Sequence, residues 1–95
     1  MKSTPARRRQ TLAIINEKGL HARASARFVE TVERHDAGAF VSKDGMRVDG
    51  RSIMGLLMLA AGRGSEIEVE TDGAEADALM AALTDLVANR FGESN

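Results

Sequence analysis

Ser65-Glu66-Ile67-Glu68-Val69-Glu70-Thr71 alternates acidic and apolar residues with a period of two. That period belongs to a β-strand with one dry and one wet face, Ile67 and Val69 turned inward and the three glutamates outward. A sheet wet on one side must be covered by helices on the other, so this stretch decides how many layers the chain builds. Its neighbours supply the partners. Thr11–Asn16 reads as a strand, with Leu12 and Ile14 on one face and Ala13 and Ile15 on the other. Ala39–Lys43 and Met46–Asp49 are two more, joined by Asp44-Gly45, a strong two-residue hairpin signal.

The remaining segments have helical spacing. From His21 to Arg34, the residues Ser25, Phe28, Val29 and Val32 share one side, and Gly38 reads as a left-handed stop. Ile53–Ala61 is short and apolar on nearly every side, headed by Ser52 as a helix cap and closed by Gly62 and Gly64. Asp72-Gly73 turns the chain into Ala74–Arg90, whose stripe is Leu79, Leu83, Leu86, Val87 and Arg90, with Leu79, Leu83 and Leu86 as its buried ridge. The order β-α-β-β-α-β-α predicts an α/β (α+β) fold. It is a two-layer open-faced β-sandwich, an antiparallel four-stranded sheet with helices on one face.

Composition narrows the function. Ninety-five residues make one domain. Three Phe with no Trp or Tyr make a poor platform for stacking bases, so no nucleic-acid partner is expected. The absence of cysteine removes disulfides, thiolate catalysis and Cys-based zinc sites, and suits a reducing compartment. No apolar run approaches the ~18 residues of a membrane span, and the basic N-terminus lacks the apolar core of a signal peptide. The expectation is a cytoplasmic protein with no membrane partner. Lys2, Arg7, Arg8 and Arg9 stand in residues 1–10 without an acid. Residues 1–9 are therefore expected to be a disordered basic extension, 10–91 the domain and 92–95 a C-terminal tail. His35, near the end of the first helix, reads as a cap on its negative end. No carboxylate cluster joins it to His21, so neither a metal nor any other cofactor is expected.

The chemistry concentrates in Gly19-Leu20-His21-Ala22-Arg23-Ala24-Ser25. A helix N-terminus leaves backbone N–H groups unpaired and carries about half a positive charge, which suits an anion. The same positive end, with Arg23, disfavours imidazolium and leaves the His21 ring nucleophilic. Once phosphorylated, the ring holds an anion beside those donors, and Arg23 can fork onto the phosphate oxygens. Small Ala22, Ala24 and Ser25 leave the ring uncrowded.

Gly19-Leu20-His21-Ala22-Arg23-Ala24 resembles the active-site signature of the HPr phosphocarrier proteins of the bacterial phosphoenolpyruvate-dependent sugar phosphotransferase system. Arg51-Ser52-Ile53-Met54-Gly55-Leu56-Leu57 resembles the family's second signature, around its regulatory serine. The likeness runs over roughly residues 10–91, and the element order agrees. It implies that His21 is phosphorylated on Nδ1 by phospho-enzyme I and donates to an enzyme IIA-type acceptor, with Arg23 assisting. It implies that Ser52 matches the position phosphorylated by HPr kinase/phosphorylase, where that enzyme exists. Such a protein is a phosphoryl-transfer intermediate, not a free-standing enzyme, and is expected to be a monomer. Ala24 departs from the family, which usually has proline there; looser pre-organisation of the first turn is the expected consequence.

Beside the histidine, Ala22, Ile53, Met54 and Leu57 form the expected docking patch for partners, with Leu56 and Leu59 in the core. Phosphate on Ser52 would add nearly two negative charges at the edge of that patch. A different class of function, a non-catalytic regulatory interaction module, would use the Ser52/Ile53/Met54/Leu57 patch alone. A small ligand-binding domain would need a dimer or an apolar cleft, and the sequence calls for neither. Gly45–Ser52 nearly fits a nucleotide-binding P-loop, but Arg51 replaces the required lysine and Met46–Asp49 reads as strand. Sugar uptake and a regulatory nitrogen-related branch both stay open. The serine and the lack of uptake-specific features incline the reading towards regulation.

Overall fold

The computed structural model describes residues 6–95. Strand β1 spans Ala6–Ala13, helix α1 Ala22–Glu33, β2 Gly38–Lys43, β3 Met46–Asp49, α2 Ile53–Met58, β4 Glu66–Gly73 and α3 Ala76–Ala88, followed by a 3₁₀ turn at Arg90–Gly92. The four strands form one antiparallel sheet in the order β1-β4-β2-β3. Helices α1 and α3 pack together over one face, and α2 lies against α1 and β3. This is the open-faced sandwich that the alternation of β4 requires.

The register explains the two faces. Leu12 pairs with Ile67, Val69 with Val41, and Val41 with Val48, so these point the same way, into the helices. They meet Phe28, Val32, Leu56, Leu79, Leu83 and Phe91, all fully buried. Thr71, fully buried, satisfies its hydroxyl on the carbonyl of Ala76 at 2.9 Å. On the other face Glu70 is not simply wet. Arg47 approaches it at 3.2 Å, Arg7 at 3.7 Å and Arg9 at 4.0 Å, and its side chain is 17% exposed.

Several boundaries differ from expectation, each for a tertiary reason. Strand β1 starts at Ala6 and stops at Ala13, whereas the apolar pattern suggested Thr11–Asn16. Arg7, Arg8 and Arg9, expected in a solvated extension, pair with Asp72, Thr71 and Glu70, and Arg8 forms an ion pair with Asp77 on α3. Residues 1–5 of the expected extension lie outside the described residues. Gly38 does not stop α1; it opens β2 opposite Asp72, and the helix ends at Glu33 with Arg34 as its C-cap. Helix α2 ends at Met58, earlier than Ala61, because Ala60 turns left-handed at φ 52°. The α3 ridge is Ala76, Leu79, Leu83 and Val87, with Met80 beside it. Leu86, one position off this i, i+4 line, is half-buried, and Arg90 is exposed.

Leu83 is fully enclosed between α3, the sheet and α1. Leu83→Ala should cost about 2–5 kcal/mol, through lost transfer energy and the cavity left behind. Urea unfolding of the full chain measures it, and a loss under ~1 kcal/mol would mean that the site collapses freely.

Candidate functional site

The loop after β1 is fixed at both ends. Ile14 donates its amide to Ser65 and accepts from Gly64, at 2.9 and 2.8 Å. Gly19 takes φ +65°, and a Cβ there would lie 2.5 Å from the carbonyl of Ala61, so only glycine fits. The turn lets Leu20 bury its side chain and donate its amide to that same Ala61 carbonyl at 2.9 Å. The junction leaves His21 as the N-cap of α1 in extended conformation, at φ −81° and ψ −175°. The first helical bond is Ser25 N–H to the His21 carbonyl at 2.8 Å. The amides of Ala22, Arg23 and Ala24 are thus left without intrahelical partners at the positive end.

The His21 side chain makes no capping bond. Its Nε2 instead meets a carboxylate oxygen of Glu93, and Nδ1 has no hydrogen-bond partner among the described residues. The other Glu93 oxygen accepts from Asn16 Nδ2 at 2.9 Å. Burial pushes the Glu93 carboxyl up, but hydrogen bonds from Asn16 and His21 and the nearby charges of His21 and Lys18 outweigh it, so it lies below its ordinary value. An ionised carboxylate only accepts, so this contact needs a proton on Nε2. In the neutral ring the lone pair then belongs to Nδ1.

Arg23 is exposed and enters no ion pair among the described residues. With Lys18 and Arg27 it lines an open polar cleft of about 440 Å³ that Glu17 and Glu93 also reach. Ala22 is exposed at the helix head, and Ala24 is fully buried. Ser52 caps α2, its hydroxyl accepting from the Gly55 amide at 2.9 Å. Ile53 is 39% and Met54 70% exposed, and Leu57 is half-buried, while Leu56 and Leu59 are in the core. The patch also includes Met58, 65% exposed, which the spacing had not singled out. His35 bonds the Thr31 carbonyl through Nδ1 at 2.8 Å, in the last turn of α1.

The model of the PTS HPr component phosphorylation site matches residues 8–89. The chain belongs to the HPr family. It is 52% identical over 85 residues to the phosphocarrier protein HPr of Neisseria meningitidis, covering 90% of this chain and 96% of that one. The crystal structure of HPr-C-His from Thermoanaerobacter tengcongensis superposes with a TM-score of 0.88 at 34% identity, over 93% of this chain and 99% of the other. A structure of an HPr dimer from the same organism is also similar, with a TM-score of 0.73 at 34% identity, over 98% of this chain and all of that one. Within this HPr scaffold, Asn16 and Glu93 are the neighbours of the histidine that sequence reasoning missed. Glu93 falls in the expected tail of residues 92–95, and no local pattern links it to a residue 72 positions away.

Because the Glu93 carboxyl is depressed in the folded chain, its contacts add stability above the usual carboxylate range, and this is lost as pH falls through the folded value. The Tm advantage of the wild type over Glu93→Gln should therefore shrink as pH drops below that range. Thermal melts at several pH values check it; an advantage that grows towards acid would show that the sign is wrong.

Proposed function

We propose that His21 is the residue that carries the phosphoryl group, taken from phospho-enzyme I and passed to an enzyme IIA-type acceptor. The observation that carries this reading is a ring tied through Nε2 to Glu93 while Nδ1, at the head of α1, is unengaged among the described residues. In the forward step the Nδ1 lone pair attacks the phosphorus in line, and the donor's phosphorus–nitrogen bond breaks with its electron pair returning to the donor nitrogen. The proton on Nε2 stays where it is, so no separate base is needed. Delivery to the acceptor reverses these roles.

Little chemistry beyond positioning and charge stabilisation is required. Backbone amides of the first turn and the Arg23 guanidinium offer donors to the equatorial oxygens. The three cations lining the cleft support the approach of an anionic group. Ala22, Ile53, Met54 and Leu57, with Met58, form the docking surface in this reading. The chain itself works as a monomer in the cytoplasm, a stoichiometric intermediate without a cofactor. Its service to sugar uptake or to a regulatory branch is decided by the acceptor, and the capping serine inclines the reading towards regulation.

Ser52 has a second role in this reading. Phosphate on its hydroxyl would remove the cap's hydrogen-bond geometry and set about two negative charges beside the apolar patch, which would misalign partners. Incubation with HPr kinase and ATP should label the wild type and not Ser52→Ala; label persisting in the variant would eliminate this site.

The main test uses phosphoenolpyruvate and catalytic enzyme I. Acid-labile phosphate should appear on the wild type and be absent from His21→Ala, with Arg23→Ala labelled roughly 100-fold more slowly. Label retained by His21→Ala would overturn the assignment. An unlabelled but folded wild type would favour the regulatory binding module, for which the exposure of Ile53, Met54 and Met58 speaks.

A further inference from the structure

Behind the His21 ring stands a relay that runs from Nε2 through Glu93 to the buried Asn16. Asn16 is 1% exposed and splits its amide between the Gly19 carbonyl at 2.8 Å and Glu93 at 2.9 Å. Glu93 in turn holds His21 Nε2. The three side chains come from the loop after β1, the cap of α1 and the segment beyond the 3₁₀ turn, so only the folded chain brings them together.

The segment that delivers Glu93 is built at a conformational cost. Arg90 and Phe91 are both left-handed without being glycine, at φ 56° and 55°. Such residues cost on the order of 1–3 kcal/mol each and persist where the surroundings impose them. Here Phe91 is fully buried, the Arg27 guanidinium donates to its carbonyl, and the Glu17 amide donates to the carbonyl of Asn95 at 2.9 Å. Gly92 takes φ +80°, a left-handed conformation that favours glycine, with the Arg27 guanidinium beside it. Core burial and two hydrogen bonds thus hold a strained turn whose product is one carboxylate against one ring nitrogen.

We infer that Glu93, oriented by Asn16, is a positioning residue that keeps the proton of His21 on Nε2 and so makes Nδ1 the reacting atom. The inference rests on the phosphocarrier reading for its consequence, though not for its geometry. A carboxylate behind the ring acts in both halves of the cycle. Before transfer it orients the imidazole and leaves the Nδ1 lone pair free. Afterwards it keeps Nε2 protonated in phosphohistidine, so that when the phosphorus–nitrogen bond breaks the ring departs as neutral imidazole. The charged groups facing the carboxylate are His21, Lys18 from the preceding loop, and Arg23 and Arg27 from α1, with Glu17 a further acid lining that cleft. A neutral amide at position 93 could either accept from Nε2–H or donate to a bare Nε2, and so would lose the preference.

The test compares full-length wild type, Glu93→Gln and Asn16→Ala by long-range ¹H–¹⁵N correlation of the His21 ring, at a pH where the ring is neutral. The wild type should show a protonated Nε2 and a bare Nδ1. Glu93→Gln should show mixed tautomers, with Asn16→Ala between them. As substrate for catalytic enzyme I with phosphoenolpyruvate, Glu93→Gln should lose roughly 10- to 100-fold in kcat with little change in KM, as a small misplacement of a reacting atom does. Far-ultraviolet circular dichroism confirms that each variant folds. Identical tautomers in wild type and Glu93→Gln would overturn the inference, as would a loss confined to KM. If the wild-type ring holds the Nε2–H form yet accepts no phosphoryl group, the carrier reading fails and the positioning contact stands.

Discussion

The amide of Leu20 donates to the carbonyl of Ala61, and it can do so only because Gly19 adopts a left-handed turn against that same carbonyl. This joint ties the loop after β1 to the segment after α2, and the rest of the site depends on it. It buries Leu20, starts α1 at a defined residue and leaves His21 outside the hydrogen-bonded part of the helix. Helix α2 must stop early for Ala61 to reach the joint, and Ala60 provides the left-handed exit. The sheet contributes rigidity on the far side, where Ile14 is bonded to both Gly64 and Ser65. A reactive histidine presented to large partners gains from such a mount, since its orientation is set before any partner arrives.

Electrostatics then divide the ring into two ends. One nitrogen faces an ionised carboxylate; the other has no partner among the described residues, at the positive end of the helix that carries the exposed Arg23. The two ends ask for opposite things, a proton at Nε2 and an anion at Nδ1, and the neutral imidazole satisfies both. The surface around the histidine is divided in a similar way, with a polar cleft carrying Lys18, Arg23 and Arg27, and a Met-bearing apolar patch on α2. Charge can steer and fix register there while adaptable methionines accept differently shaped partners.

Local signals made much of this legible. The hairpin at Asp44-Gly45 and strand β3 at Met46–Asp49 follow from turn chemistry, and the buried side of α1 follows from its spacing. The cap at Ser52 and the exposure of Met54 also follow from an apolar helix too short to bury all its faces. What escaped was set by distant residues. Arg7 and Arg9 carry no apolar alternation, and they become strand residues because Glu70 and Asp72 stand opposite them in β4. Gly38 looks like a helix stop in isolation, yet the pairing with Asp72 makes it the first residue of β2. Glu93 and Asn16 acquire meaning only when the turn at Arg90–Gly92 swings the chain back over the head of α1.

The central claim is that Nδ1 of His21 is the atom that bears the phosphoryl group. NMR of the ¹⁵N-histidine-labelled full chain, phosphorylated with phosphoenolpyruvate and enzyme I, reads this directly through ³¹P–¹⁵N coupling. The account predicts coupling to Nδ1 of His21, with Nε2 still protonated. Coupling to Nε2, or to a nitrogen of His35, would contradict it.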